Sequence, residues 1–167
     1  VAAKPLTQSE PIIEVTVWEF KQGSLNAIRL SGMNDRYELI PTVQGESTRN
    51  KVEIRNVGDA SLTIYDITVE GVSPTPGHTV IRSGSTGQIP FTLAPGGRRF
   101  FYLNLGPTNV PDFYQARLSI SHNDPAFTTP NPYKLTSEGK VINDTEAPRL
   151  WVDQPGHAED GPLSSTI

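Results

Sequence analysis

The sequence has no cysteine, which excludes disulfide bonds, Cys-ligated zinc, iron–sulfur clusters and thiol nucleophiles together. Cohesion must come from packing and hydrogen bonding. The chain also lacks any apolar run near the 18 residues that a membrane-spanning helix needs. It has no excess of positive charge, since 14 Lys+Arg stand against 18 Asp+Glu, and so carries no overall electrostatic footprint for nucleic acid or anionic lipid. Long helices are excluded too, because 14 Gly and 15 Pro in 167 residues interrupt the backbone too often. The absence of cysteine does not choose a compartment. Val1 is not an initiator methionine and no signal-type apolar region follows it, so the chain is expected to be a processed product or an excised piece.

What is present is alternation. A chain of 167 residues can bury roughly two-thirds of its unfolded surface, and its apolar residues recur with the period of two that half-buried strands require. Ile13, Val15 and Val17 share one face. Residues 25–43 are less regular, with Leu39, Pro41 and Val43 leading into the turn Gln44-Gly45-Glu46-Ser47. Val52 and Ile54 alternate with Lys51, Glu53 and Arg55, and Asn56-Val57-Gly58-Asp59 closes that strand. Leu62 and Ile64 fall on one phase but Ile67 and Val69 on the other, so a bulge is expected near Tyr65-Asp66. Gly71 to Gly77 reads as a loop, Val80-Ile81 as a short strand, and Ile89, Phe91 and Leu93 as a clearer one. Ala94-Pro95-Gly96-Gly97 is a strong turn signal. Phe101, Leu103 and Leu105 should then point inward, with Tyr102 and Asn104 outward, up to Gly106-Pro107. Ala116, Leu118 and Ile120 precede the turn His122-Asn123-Asp124-Pro125, and Tyr133 and Leu135 form a last strand before Gly139.

Short strands at intervals of about ten residues, joined by turn chemistry, predict an all-β, immunoglobulin-like antiparallel β-sandwich over residues 36–142. Residues 1–35 are expected to add an N-terminal strand and an extra hairpin packed on it, and residues 143–167 a linker and a strand-forming tail. Val52, Ile54, Leu62, Ile64, Phe91, Phe101, Leu103, Leu118 and Ile120 form the expected core. Gly58 and at least one of Gly96 and Gly97 are expected at positive φ. The Pro74 to Gly87 loop is expected to be mobile.

The order of these pieces resembles a known family. Val52-Glu53-Ile54-Arg55-Asn56-Val57-Gly58 is followed by Leu62-Thr63-Ile64, by Phe91-Thr92-Leu93-Ala94-Pro95-Gly96-Gly97, by Phe101, Leu103 and Pro107, and by Ala116-Arg117-Leu118-Ser119-Ile120-Ser121-His122-Asn123-Asp124-Pro125. This is similar to the bacterial choice-of-anchor D repeats, relatives of the ASH and major-sperm-protein-like immunoglobulin folds, over about 100 of the 167 residues. The resemblance implies a non-enzymatic sandwich, repeated in large secreted or surface-anchored bacterial proteins and used in ciliary and centrosomal scaffolds elsewhere. It brings no catalytic residue with it. Trp18 to Asn34 intervenes where the family runs on directly, and Arg36-Tyr37-Glu38-Leu39 replaces an Asp-Phe-Gly-like stretch.

Chemistry-bearing residues are sparse and scattered. His78, His122 and His157 have no ligand spacing, and no Gly-x-Ser-x-Gly elbow accompanies the serines. Neither a metal site nor hydrolase activity is expected, and no cofactor. Asn123-Asp124-Pro125 reads as a turn whose side chains bond their own backbone, and Gly84-Ser85-Thr86-Gly87 as a turn without the Lys of a phosphate loop. Asn143-Asp144-Thr145 is a glycosylation sequon, meaningful only in a eukaryotic secretory protein. Trp18, Tyr37, Tyr65, Tyr102, Tyr114 and Trp151 are the candidate stacking aromatics, with Tyr65 and Tyr102 clearly on polar faces.

Finally, Glu10-Pro11-Ile12-Ile13-Glu14-Val15 loosely matches Ala147-Pro148-Arg149-Leu150-Trp151-Val152. The match fits a chain cut from a tandem array, a tail that adds to a sheet edge of its own or a neighbouring molecule, or chance. Leu150, Trp151 and Val152, with Trp18 and Tyr102, are the candidate interaction residues. The expected role is a structural or protein-interaction module of an extracytoplasmic bacterial assembly, secreted or at the cell surface. Its partners would be protein subunits. Binding of a surface polysaccharide and an intracellular ciliary-type scaffold are the alternatives.

Overall fold

The computed structural model describes residues 9–30, 35–73, 78–81, 87–127 and 133–143. Its strands are β1 (Ile13–Lys21), β2 (Ser24–Leu30), β3 (Asp35–Glu38), β4 (Thr42–Val43), β5 (Thr48–Asn56), β6 (Leu62–Ser73), β7 (His78–Ile81), β8 (Phe91–Leu93), β9 (Arg98–Leu105), β10 (Asp112–His122) and β11 (Tyr133–Ile142). A 3-10 turn, Pro125–Phe127, follows β10. One sheet has the order β2-β1-β5-β9-β7, the other β3-β11-β10-β6-β8 with β4 also paired to β11. Pairing is antiparallel except where β3 and β4 run parallel to β11. The result is the immunoglobulin-like sandwich expected from the alternation.

The core is the interleaved inner faces of the two sheets. Val15, Val17, Val52, Ile54, Phe101 and Leu103 from the first meet Leu62, Ile64, Ile67, Leu118, Ile120 and Leu135 from the second, all at most 2% exposed. All the expected core residues are buried, Phe91 at the rim being 6% exposed. The phase break in β6 is resolved as anticipated. Ser121 faces Asp66 and His122 faces Ile64, leaving Tyr65 as the extra residue, so Ile64 and Ile67 both reach the core while Tyr65 stays outside.

Trp18 to Asn34 does contain a hairpin. Lys21 pairs with Ser24 across Gln22 and Gly23, at φ 53° and 76°, the positive pair whose twist matches the flanking strands. The resulting β1–β2 ribbon joins the first sheet through β5, with Val15 opposite Ile54.

Several local expectations are corrected. The stretch from Gly71 does not open a loop at once. β6 runs on to Ser73, because Gln115 and Ala116 of β10 supply pairing partners across a second register shift. Gly139 does not end the last strand either. β11 continues to Ile142 alongside Thr42 and Val43, and a Cβ at Gly139 would lie 2.5 Å from Leu105 Cδ2, so that the Leu105 side chain would have to shift to admit one. Asn104, placed outward by alternation, is on the outer face but only 8% exposed, opposite Arg49 of β5.

Positive φ occurs at Gly96 (81°), as expected for position i+2 of the Pro95-Gly96 turn, whose Gly97 N–H donates to Ala94 O at 2.8 Å. It does not occur at Gly58. Glycine is required there because the segment leading into β1 passes directly over it, so that a Cβ would overlap the carbonyl oxygen of Glu10. The Pro74 to Gly87 expectation lies largely outside the described residues, apart from β7 within it.

Candidate interaction surface

Two polar clips, centred on buried Asp124 and buried Asn56, tie segments distant in sequence together. Asp124 is 1% exposed. Its Oδ2 accepts the Ile13 N–H at 2.8 Å and its Oδ1 the Ala126 N–H at 2.8 Å. It therefore stops its own turn as expected, and also anchors the start of β1, which the local reading did not anticipate. His122 Nδ1 accepts the Asp124 N–H at 3.0 Å, and burial pushes the imidazole pKa down against a smaller opposing pull from Asp124. Asn123 Oδ1 accepts from Thr63 N–H at 2.8 Å while its Nδ2 donates to Ser61 O. On the other side, fully buried Asn56 donates to Ala60 O and Leu93 O and accepts from Gly58 N–H and Ile12 N–H. These groups are consumed in joining strands distant in sequence.

The histidines stand apart. His78 is on β7 in the first sheet, His122 at the end of β10 in the second, and His157 is outside the described residues. Among the described residues no group of three or more His, Asp or Glu is placed to hold a metal ion. Of the candidate aromatics, Tyr37 and Tyr114 are core residues at 1% and 3% exposure, so neither is a stacking platform. The Tyr114 hydroxyl donates to Val110 O at 2.8 Å, and burial raises the Tyr37 pKa far above its ordinary value. Tyr65 is exposed on the second sheet at the bulge. Leu150, Trp151 and Val152 lie outside the described residues, as do Asp144 and Thr145 of the sequon.

Trp18 and Tyr102 come together on the outer face of the first sheet. β1 and β5 pair only as far as Val17 opposite Val52, although β1 runs on to Lys21 and β5 begins back at Thr48. The two strands part there. Ile40 is held beside the gap by donating its N–H to Asn50 Oδ1 at 2.9 Å. The gap is a groove of about 270 Å³ lined by Trp18 and Leu25 on one side, Arg49, Lys51 and Tyr102 on the other, and Ile40.

Cations and rings interleave along it. Lys51 Nζ lies 4.8 Å from the centroids of both Trp18 and Phe100, Phe100 meets Tyr102 edge to face at 5.7 Å, and the Arg49 guanidinium lies 5.8 Å from the Tyr102 ring. Such contacts contribute on the order of 0.5–1 kcal/mol at exposed sites and hold the cationic stems flat on the sheet. Among the described residues no carboxylate lines the groove, and Leu25 is 49% exposed beside it. Arg49, Lys51, Phe100, Leu25 and Ile40 were not singled out from sequence. The legible signal was Phe100-Phe101-Tyr102, where alternation sends one ring inward and its two neighbours outward.

No protein-family model matches the sequence, and no curated protein does. Among solved structures, the chain is similar to the ASH/PapD-like domain of human CEP192 (PapD-like domain 7), at 13% identity and a TM-score of 0.46 over 86% of this chain and 94% of that one. It is similar to a protein of unknown function from Porphyromonas gingivalis W83 at 18% identity and 0.46, covering 83% and 68%. A family 123 glycoside hydrolase from Clostridium perfringens matches at 8% identity and 0.48, over 79% of this chain but 28% of the enzyme. At such distances activity and partners do not carry over.

Proposed function

We propose that this chain is a non-catalytic structural or protein-interaction module of an extracytoplasmic bacterial assembly, of the choice-of-anchor D kind that its turns resemble, and that it makes contact through the outer face of its first sheet. The observation carrying this reading is the Trp18, Leu25, Tyr102 groove with Arg49 and Lys51. Aromatic and Arg side chains around a partly desolvated pocket are the composition of interface hot spots. Polysaccharide binding fits less well, because Lys51 already sits over the Trp18 and Phe100 rings that a sugar would stack on.

Sedimentation velocity over a range of concentrations tests the interaction, with copies of the chain as the protein partner. Trp18→Ala with Tyr102→Ala should weaken self-association at least tenfold, while Tyr65→Ala on the other sheet leaves it unchanged. Association unaltered by the double variant, at unaltered melting temperature, would refute the surface. Glycan binding lost in the same variant would replace the reading with the carbohydrate one. Location is tested by the full-length precursor, where an export signal is the expected finding.

A further inference from the structure

The net charge of −4 is not spread over the chain. Residues 144–167 hold Arg149 against Asp144, Glu146, Asp153, Glu159 and Asp160, a balance of −4, so residues 1–143 are neutral with 13 cations and 13 anions. The acidic segment also contains Leu150-Trp151-Val152, its bulkiest apolar run. The groove on the first sheet is its complement, with apolar walls from Trp18, Leu25 and Ile40, cations at Arg49 and Lys51, and no carboxylate among the described residues of its lining.

The segment also starts close by. Ile142 is paired with Val43, strand neighbours being about 4.8 Å apart, and Val43 is three residues from Ile40, at most about 10 Å of chain. The path from Ile142 to the edge of the groove is therefore roughly 15 Å. Leu150 is eight residues beyond Ile142, an extended reach of about 27 Å.

We infer that residues 148–153 of this same chain dock in the groove, with Leu150 and Trp151 against Trp18, Leu25 and Ile40 and the flanking carboxylates facing Arg49 and Lys51. The inference deepens the proposed function and rests on that surface reading, because it makes the tail an occupant that a protein partner must displace. A short tether presents its end at an effective concentration on the order of 1 mM, so even a contact with a dissociation constant of about 0.1 mM would fill the groove roughly nine-tenths of the time. A face free one-tenth of the time shows an apparent affinity about tenfold weaker than its own.

The absence of native cysteine permits a clean test on the full chain. A nitroxide attached at Gln154→Cys should broaden the amide signals of Trp18, Lys51 and Tyr102 selectively, leaving those of Tyr65 and Arg117 on the other sheet sharp. In an equimolar mixture of spin-labelled chain without nitrogen-15 and nitrogen-15 chain without the label, the broadening should vanish at low concentration. Trp151→Ala and, separately, Asp153→Lys with Glu159→Lys should each abolish it, and Trp151→Ala should tighten self-association about tenfold. Selective broadening that persists in the mixture would mean the tail of another copy and overturn the intramolecular assignment. Absence of broadening in both samples would overturn it altogether. If broadening is absent while Trp18→Ala with Tyr102→Ala still weakens self-association, the surface stands and its tail occupant falls. If broadening is present while association ignores the double variant, the tail docks but the interaction function fails.

Discussion

Replacing Asp124 by Ala should be among the most damaging single changes in this protein. The side chain is 1% exposed and accepts two backbone N–H groups at 2.8 Å each, from Ile13 and Ala126. Hydrogen bonds to an ionised group contribute about 1.5–3 kcal/mol each. The Ile13 N–H, with Ile13 itself 5% exposed, would be left without an acceptor in a place water reaches poorly. The two losses together amount to about 4 kcal/mol, against a total stability for domains of about 5–15 kcal/mol. Asp124→Asn keeps one carbonyl acceptor and should cost about half as much. Urea unfolding with linear extrapolation measures both, and an unchanged m-value would show that the native and unfolded ensembles kept their exposed areas. Amide hydrogen exchange supplies the local readout, because the Ile13 amide should lose protection in the Ala variant before the amides of β9 do. A loss under about 1 kcal/mol, or an Ile13 amide still protected, would refute the argument that this carboxylate anchors the N-terminal strand.

Phe101, fully buried between the sheets, should cost about 3–5 kcal/mol when truncated to Ala, again read from urea unfolding, and a cost below 1 kcal/mol would mean the core relaxes far more than its packing suggests. Gly58→Ala should destabilise more than Gly96→Ala, because the first places a Cβ against the Glu10 backbone whereas nothing lies within 4 Å of a Cβ at Gly96 and only its φ is unfavourable; thermal melting that ranks the two in the opposite order would contradict the close-approach account. His122 is held neutral, with its folded pKa lowered by burial, so the unfolded chain binds a proton that the fold refuses. Stability from this group is therefore complete above the ordinary imidazole pKa of about 6.5 and is lost as pH falls below it. Melting temperatures at pH 7.5 and 5 should differ more for the native chain than for His122→Gln, and equal differences would remove His122 from the acid sensitivity.

Much of the architecture was readable along the chain because a strand's two faces are set by a period of two. Val52 and Ile54, Phe101 and Leu103, and Leu118 and Ile120 declare their inward faces within a few residues, and the phase slip at Tyr65-Asp66 declares its bulge in the same way. Strand ends were less legible. Ser73 and Ile142 belong to strands only because β10 and β4 lie beside them, and Gly139, a breaker by local chemistry, sits inside β11 packed against the Leu105 side chain. The candidate interaction surface was half legible. Trp18 and Tyr102 stood out as residue types, but Lys51 and Arg49 looked like ordinary solvated positions on a wet face.

The sequence by itself determined that the chain is all-β, that its core is aliphatic and phenylalanine-rich, that no disulfide closes it and that its acidity is concentrated after residue 143, because each of these follows from composition or from spacing over a few residues. Tertiary structure alone decided which strands became neighbours and therefore which side chains met. Asp124 reaches Ile13 across 111 residues, and the groove exists only because β1 and β5 pair to Val17 and Val52 and then part. Long-range pairing depends on how whole faces and loops fit together, and no local pattern in one strand specifies the strand that will lie against it.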